Sequence, residues 1–158
     1  MLKLVNQRKV KENWETYKEQ IKTAMVSTDG GLAYFDGDTK KVLKGIYSRL
    51  MNPFHHYMHL WIDDDNEYLL LTHIQTCEFT ERKNLVLFSL TRTKDVNPFE
   101  VTQRWFDGYP VITKFAKKND CKGIVAYTDL EYFIKIAKEV TKKTKQEIII
   151  RYQYYVPL

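Results

Sequence analysis

The chain has 158 residues, 44% hydrophobic and 28% charged, a length that suits one domain and a composition near the globular average rather than that of a disordered chain. No apolar run approaches the ~18 residues that cross a bilayer, Met1-Leu2-Lys3-Leu4-Val5-Asn6 turns polar too soon for a secretory leader, and Cys77 and Cys121 lack metal-type spacing; the expectation is a cytoplasmic chain without a disulfide framework. A net charge of +5 permits an anionic partner without requiring one, while 14% aromatics, 11 Tyr among them, suit half-buried sheet surfaces and protein interfaces.

Leu2, Leu4 and Val5 suit a short first strand. Val10, Trp14, Tyr17, Ile21 and Met25 then recur at helical spacing, which predicts one amphipathic helix ending near Gly30-Gly31. Asp38 is a fitting N-cap for a second helix with Val42, Leu43, Ile46, Tyr47 and Leu50 inward, closed off by Pro53. Residues 57–62 and 67–79 read as strands joined by the polar turn Asp63-Asp64-Asp65-Asn66, and Leu85 to Leu90 as a strand buried on both faces.

Asn97-Pro98-Phe99-Glu100 orders an N-cap, a first-position proline and an early acid, so a third helix starts there; Gly108 and Pro110 predict a kink or break within it. Gly123 to Tyr127 reads as a short buried strand, Thr128-x-x-Glu131 as the capping box of a fourth helix, and Ile148 to Val156 as a last alternating strand. The predicted order is β-α-α-β-β-β-α-β-α-β: a single α/β domain over residues 1–158, with a mixed sheet of about six strands and helices on both faces.

That order resembles the GNAT superfamily of acyl-CoA-dependent N-acyltransferases along nearly the whole chain. The resemblance is carried by the first helix with Trp14, Tyr17, Ile21 and Met25, the hairpin Met58-His59-Leu60-Trp61-Ile62 to Tyr68-Leu69-Leu70-Leu71, the strand Leu85-Val86-Leu87-Phe88, and Gly123-Ile124-Val125-Ala126-Tyr127 before the capped helix. More narrowly the chain is similar to divergent GNAT-like proteins of bacteriophages, including virion proteins, which implies host cytoplasm or virion as its location.

The family resemblance implies an acyl-CoA held where the fourth strand splays from the fifth, with a glycine-containing Q/R-x-x-G-x-G/A loop leading into the third helix. Glycines let main-chain amides curl around a diphosphate, and the helix N-terminus adds partial positive charge. Here the stretch is Arg92-Thr93-Lys94-Asp95-Val96-Asn97-Pro98, without a glycine; Arg92 matches the opening basic residue, and Thr93 and Lys94 are the other candidate cofactor contacts. The implied general acid, a Tyr well into the fourth helix, finds only Tyr132, about one turn in, and the implied carboxylate base finds only Glu78 and Glu81.

Other constellations are weaker. His55, His56, His59 and His73 lack metal-site spacing and read as polar positions on a hairpin, so no metal is expected. Asp63 to Glu67 lacks the spaced acids and glycine of a calcium loop and reads as a solvated turn. Lys114, Lys117, Lys118 and Lys122, with the later lysines, read as solvated helix faces rather than a nucleic-acid surface. Tyr152, Tyr154 and Tyr155 make the last strand aromatic on both sides and suit pairing with another chain. The missing glycines favour a non-catalytic interaction or structural protein without a cofactor, docked to other chains in a larger assembly such as a virion. The alternative is an N-acetyltransferase using acetyl-CoA through a degenerate loop.

Overall fold

A computed structural model describes residues 1–27, 38–52, 58–65, 68–92 and 98–126, together with Lys138, Glu139 and Lys142, which are helical. The chain divides into two compact units, residues 1–127 and 128–158. The predicted fourth-helix start, Tyr132 and the last strand with Tyr152, Tyr154 and Tyr155 lie outside the described residues, as do Thr93, Lys94, His55 and His56.

The first unit holds β1 (Lys3–Leu4), α1 (Gln7–Glu12), α2 (Trp14–Ser27), α3 (Thr39–Leu50), β2 (Met58–Ile62), β3 (Tyr68–Thr76), β4 (Lys83–Arg92), α4 (Pro98–Lys118) and β5 (Gly123–Ala126). The strands form one sheet in the order β1-β2-β3-β4-β5. Neighbours are antiparallel except β4 and β5, which run parallel. The α/β architecture and mixed sheet are therefore as the pattern predicts.

Both sheet faces are covered. On one, Leu60, Leu69 and Leu71 pack with Val10 of α1, Tyr17 and Ile21 of α2, and Leu43, Ile46 and Leu50 of α3. On the other, Trp61, Leu70 and Leu85 pack with Ile112 and Ala116 of α4. The side-chain period of two in a strand sends Leu69 and Leu71 one way and Leu70 the other, so the Leu-Leu-Leu run is what a strand between two helical layers requires. Each such leucine, fully buried, contributes about 1.5–3 kcal/mol.

Four local expectations are corrected. The first amphipathic helix is two: Asn13 ends α1 with φ −117° and ψ 20°, its backbone N–H and side-chain amide both reaching the Lys9 carbonyl. An Asn side chain that competes for a backbone carbonyl favours such a cap over continuation. The predicted break in the third helix does not occur: α4 runs continuously from Pro98 to Lys118 with Pro110 inside it. Proline removes one ladder hydrogen bond, and the packing of Ile112 and Ala116 just beyond it outweighs that loss.

β3 stops at Thr76 rather than Phe79, because Cys77 to Arg82 forms the turn into β4. There the Cys77 N–H reaches the Arg82 carbonyl and Glu81 sits at φ 54°. Phe79 stands 96% exposed at that turn. β5 is half-buried rather than buried, being last in the described sheet order.

Gly108 faces β1, and a Cβ added there would meet Leu2 at 3.6 Å, an ordinary contact. With its helical neighbours undisturbed, the glycine has only its entropic cost. Gly108→Ala is therefore expected to stabilise the protein by about 0.5–1 kcal/mol in denaturant unfolding; a loss of stability would show that the helix needs the missing side chain.

Candidate functional site

The part of the molecule built for more than packing is the end of β4. Asn84 to Leu87 pair with Gly123 to Ala126, and beyond Leu87 β4 continues to Arg92 while paired only to β3 among the described residues. Where the parallel pairing stops, the β3 register jumps: Leu71 opposes Ser89 but Thr72 opposes Leu87, leaving Phe88 as an extra residue in β4. A bulge bends its strand and increases the local twist, and bulges are common where a sheet must stop pairing beside a site. Past Leu87, β4 has no strand partner but β3 among the described residues.

Beside the bulge, β2, β3 and α4 are joined by side-chain contacts. Thr72, fully buried, accepts a hydrogen bond from Trp61 Nε1 at 3.0 Å. The Trp61 ring meets Phe115 of α4 edge-on with centroids 4.9 Å apart, and Phe115 also meets the His59 ring at 4.7 Å. His59, a polar position on the β2–β3 hairpin, is thus engaged with α4. His73 is half-buried, and burial, then the nearby Arg49, hold its pKa below the ordinary histidine value.

At the end of β4 the sequence reading missed a cluster. Asp63 directly follows β2 and is 8% exposed, not solvated. Its Oδ1 accepts from the Tyr68 backbone N–H at 3.1 Å, and its Oδ2 accepts from Arg104 Nη1, on the second turn of α4. The same nitrogen reaches Asp65 Oδ2 at 3.3 Å, and the guanidinium carbon lies 4.8 Å from the centre of the Tyr68 ring. Tyr68 in turn pairs with Arg92, the last residue of β4. Nothing in the local sequence links Asp63 to Arg104; only the fold brings the hairpin turn under the helix.

The sequence-derived candidates are not gathered at one place. Arg92 ends β4, shortly before α4 begins at Pro98. Glu78 and Glu81 lie in the turn that precedes β4, so the length of that strand, about 30 Å for its ten residues, separates them from Arg92. Among the described residues no three of His, Cys, Asp and Glu gather in a way that could hold a metal ion. No helix among them is long and apolar enough to cross a membrane.

The two thiols differ. Hydrogen bonding from Thr80, then from the Phe79 and Thr80 backbone, lowers the Cys77 pKa, whereas burial raises that of Cys121.

No family model matches the sequence, and no curated protein matches it. Solved structures do. A probable acetyltransferase superposes with a TM-score of 0.63 at 8% identity, over 100% of this chain and 97% of its own. A GNAT family acetyltransferase from Staphylococcus aureus gives 0.58 at 13% identity, over 100% and 98%. An aminoglycoside N-acetyltransferase in complex with CoA gives 0.57 at 12% identity, over 99% and 93%.

The fold is that of the GNAT acetyltransferases. None of these three is described as a phage or virion protein, so the narrower resemblance is without support from them.

The hairpin turn also carries a pH-dependent pair. The Lys3 ammonium, hydrogen-bonded to Asp64, and secondly the Met1 amino group, hold the Asp64 carboxyl at about 2 against an ordinary 3.8. A carboxyl whose pKa is lower folded than unfolded stabilises the fold above the unfolded value, and that contribution is lost as pH falls through the folded one. Asp64→Asn is thus expected to flatten the melting-temperature profile between pH 4 and 2, and a wild-type carboxyl titrating by NMR near its ordinary value would contradict the pairing.

Proposed function

We propose that this chain is an acyl-CoA-dependent N-acyltransferase, with the donor held between the ends of β4 and β5. The observation that carries the reading is the Phe88 bulge, one residue past the β4–β5 pairing seen among the described residues, on the strand that leads through Arg92 to α4. Main-chain N–H and C=O groups along an unpaired strand edge suit an extended ligand with amides of its own, much as an added strand is held.

In this reading the pantetheine arm lies along that edge of β4, and the diphosphate is met by Arg92 and the first turn of α4. Thr93 and Lys94 are proposed as further contacts. A guanidinium matches phosphate oxygens, and the leading amides of a helix carry partial positive charge. Pro98 contributes no N–H there, while Phe99 and Glu100 retain theirs. The coenzyme supplies the acyl group already activated as a thioester; the chain holds the donor and presents it to an amine. A donor of the CoA class is supported by likeness of fold to the aminoglycoside N-acetyltransferase that is described with CoA. Tyr132 lies outside the described residues, in the second unit, and receives no role in it. Glu78 and Glu81, a strand's length from Arg92, receive no role in it.

One observation favours the non-catalytic assembly protein instead: the chain has no glycine between Gly45 and Gly108, so any diphosphate cradle uses residues that tolerate left-handed backbone poorly. The likeness of fold to acetyltransferases weighs more, because the missing glycines remove one contact type only.

Acetyl-CoA is expected to raise the melting temperature in a concentration-dependent way, by the equivalent of about 2.7 kcal/mol at a hundred times its Kd, and Arg92→Ala to reduce the gain. No shift at millimolar acetyl-CoA would restore the non-catalytic reading.

A further inference from the structure

The Asp63–Arg104 cluster lies where the two ends of the connection from β4 to α4 are fixed. One end, Arg92, is tied by the sheet ladder to Tyr68, whose backbone N–H is bonded to Asp63. The other end, the first turns of α4, carries Arg104, which is bonded to the same Asp63 and to Asp65 and lies over the Tyr68 ring. Further along α4, Ile112 and Ala116 sit in an apolar cluster. Apolar packing is non-directional and allows small rotations, whereas a charge-assisted hydrogen bond to a carboxylate that is 9% exposed is directional and little screened by solvent. Arg104 is also neutralised by two carboxylates, so it is poorly suited to attract an anionic ligand itself.

We propose that Arg104 and Asp63 are positioning residues that set the span between the end of β4 and the N-terminus of α4, and thereby the affinity for the diphosphate half of the donor. The proposal rests on the acyltransferase reading. It makes a separation that a merely structural role does not: loss of the cluster weakens binding of CoA, which carries the diphosphate, and leaves binding of pantetheine, which does not, unchanged.

The experiment uses the full chain and two probes, CoA by calorimetry and pantetheine by NMR titration, with melting curves to identify folded variants. Arg104→Gln, Arg104→Lys, Asp63→Asn and the double variant Asp63→Asn/Arg104→Gln are compared with wild type. Because a carboxylate left buried without its cation strains folding, the double variant and Arg104→Lys keep the test available if Arg104→Gln fails to fold. The expected result is a loss of CoA affinity of about tenfold or more in Arg104→Gln and in the double variant, with pantetheine affinity unchanged and part of the loss recovered in Arg104→Lys.

Wild type that binds neither probe overturns the acyltransferase reading and this proposal with it. Wild type that binds CoA, with folded variants binding it equally well, overturns the positioning role alone. Folded variants that lose both probes in parallel also overturn it, since the damage is then not confined to the diphosphate end.

Discussion

Two parallel strands stay together only while their twist and backbone phase match. In this protein an extra residue shifts the phase of β4 against β3: with Phe88 inserted, the register changes at Leu71/Thr72, one residue past the pairing with β5 seen among the described residues. What is distinctive in the architecture depends on that constraint. The sheet is otherwise a regular stack between helical layers, and β4, bent at Phe88, delivers the chain toward the start of α4.

The rest of the first unit holds that strand still. Trp61, bonded to Thr72 and packed edge-on against Phe115, joins β2, β3 and α4 at the level of the bulge. Gln7 donates to the carbonyls of Leu50 and Asn52 at 3.2 and 3.3 Å, tying α1 to the end of α3.

Much of this was legible in the sequence, and the reasons for the failures are specific. The triplet Leu69-Leu70-Leu71, the capped helix from Asp38 and the Asn97-Pro98 start of α4 are local signals, and local physics decided them. Asn13 splits a helix whose apolar spacing continues through it, because periodicity reports which face is buried and not whether the backbone ladder is continuous. Gly108 and Pro110 do not break α4: tertiary packing outweighed two poor helix formers. Asp63 is the clearest miss. In sequence it is one of three aspartates in a turn, and its burial depends on an arginine from a helix that follows two further strands. Phe88 carries no sequence mark of its own, since an extra residue is defined only against the strand opposite.

Functionally, the weight given to a glycine-free segment was an argument about one backbone conformation. The acetyltransferase neighbours, at 8 to 13% identity, bear on architecture and leave the chemistry to experiment.

The alternation in β3 has a last consequence. Leu69 and Leu71 belong to one core and Leu70 to the other, so sliding this strand by a single residue would transpose leucines between the layers and carry Thr72, with the hydroxyl that Trp61 needs, to the wrong side. Misregistered hairpins are thereby penalised twice, and the central ribbon has one alignment in which both interiors are filled.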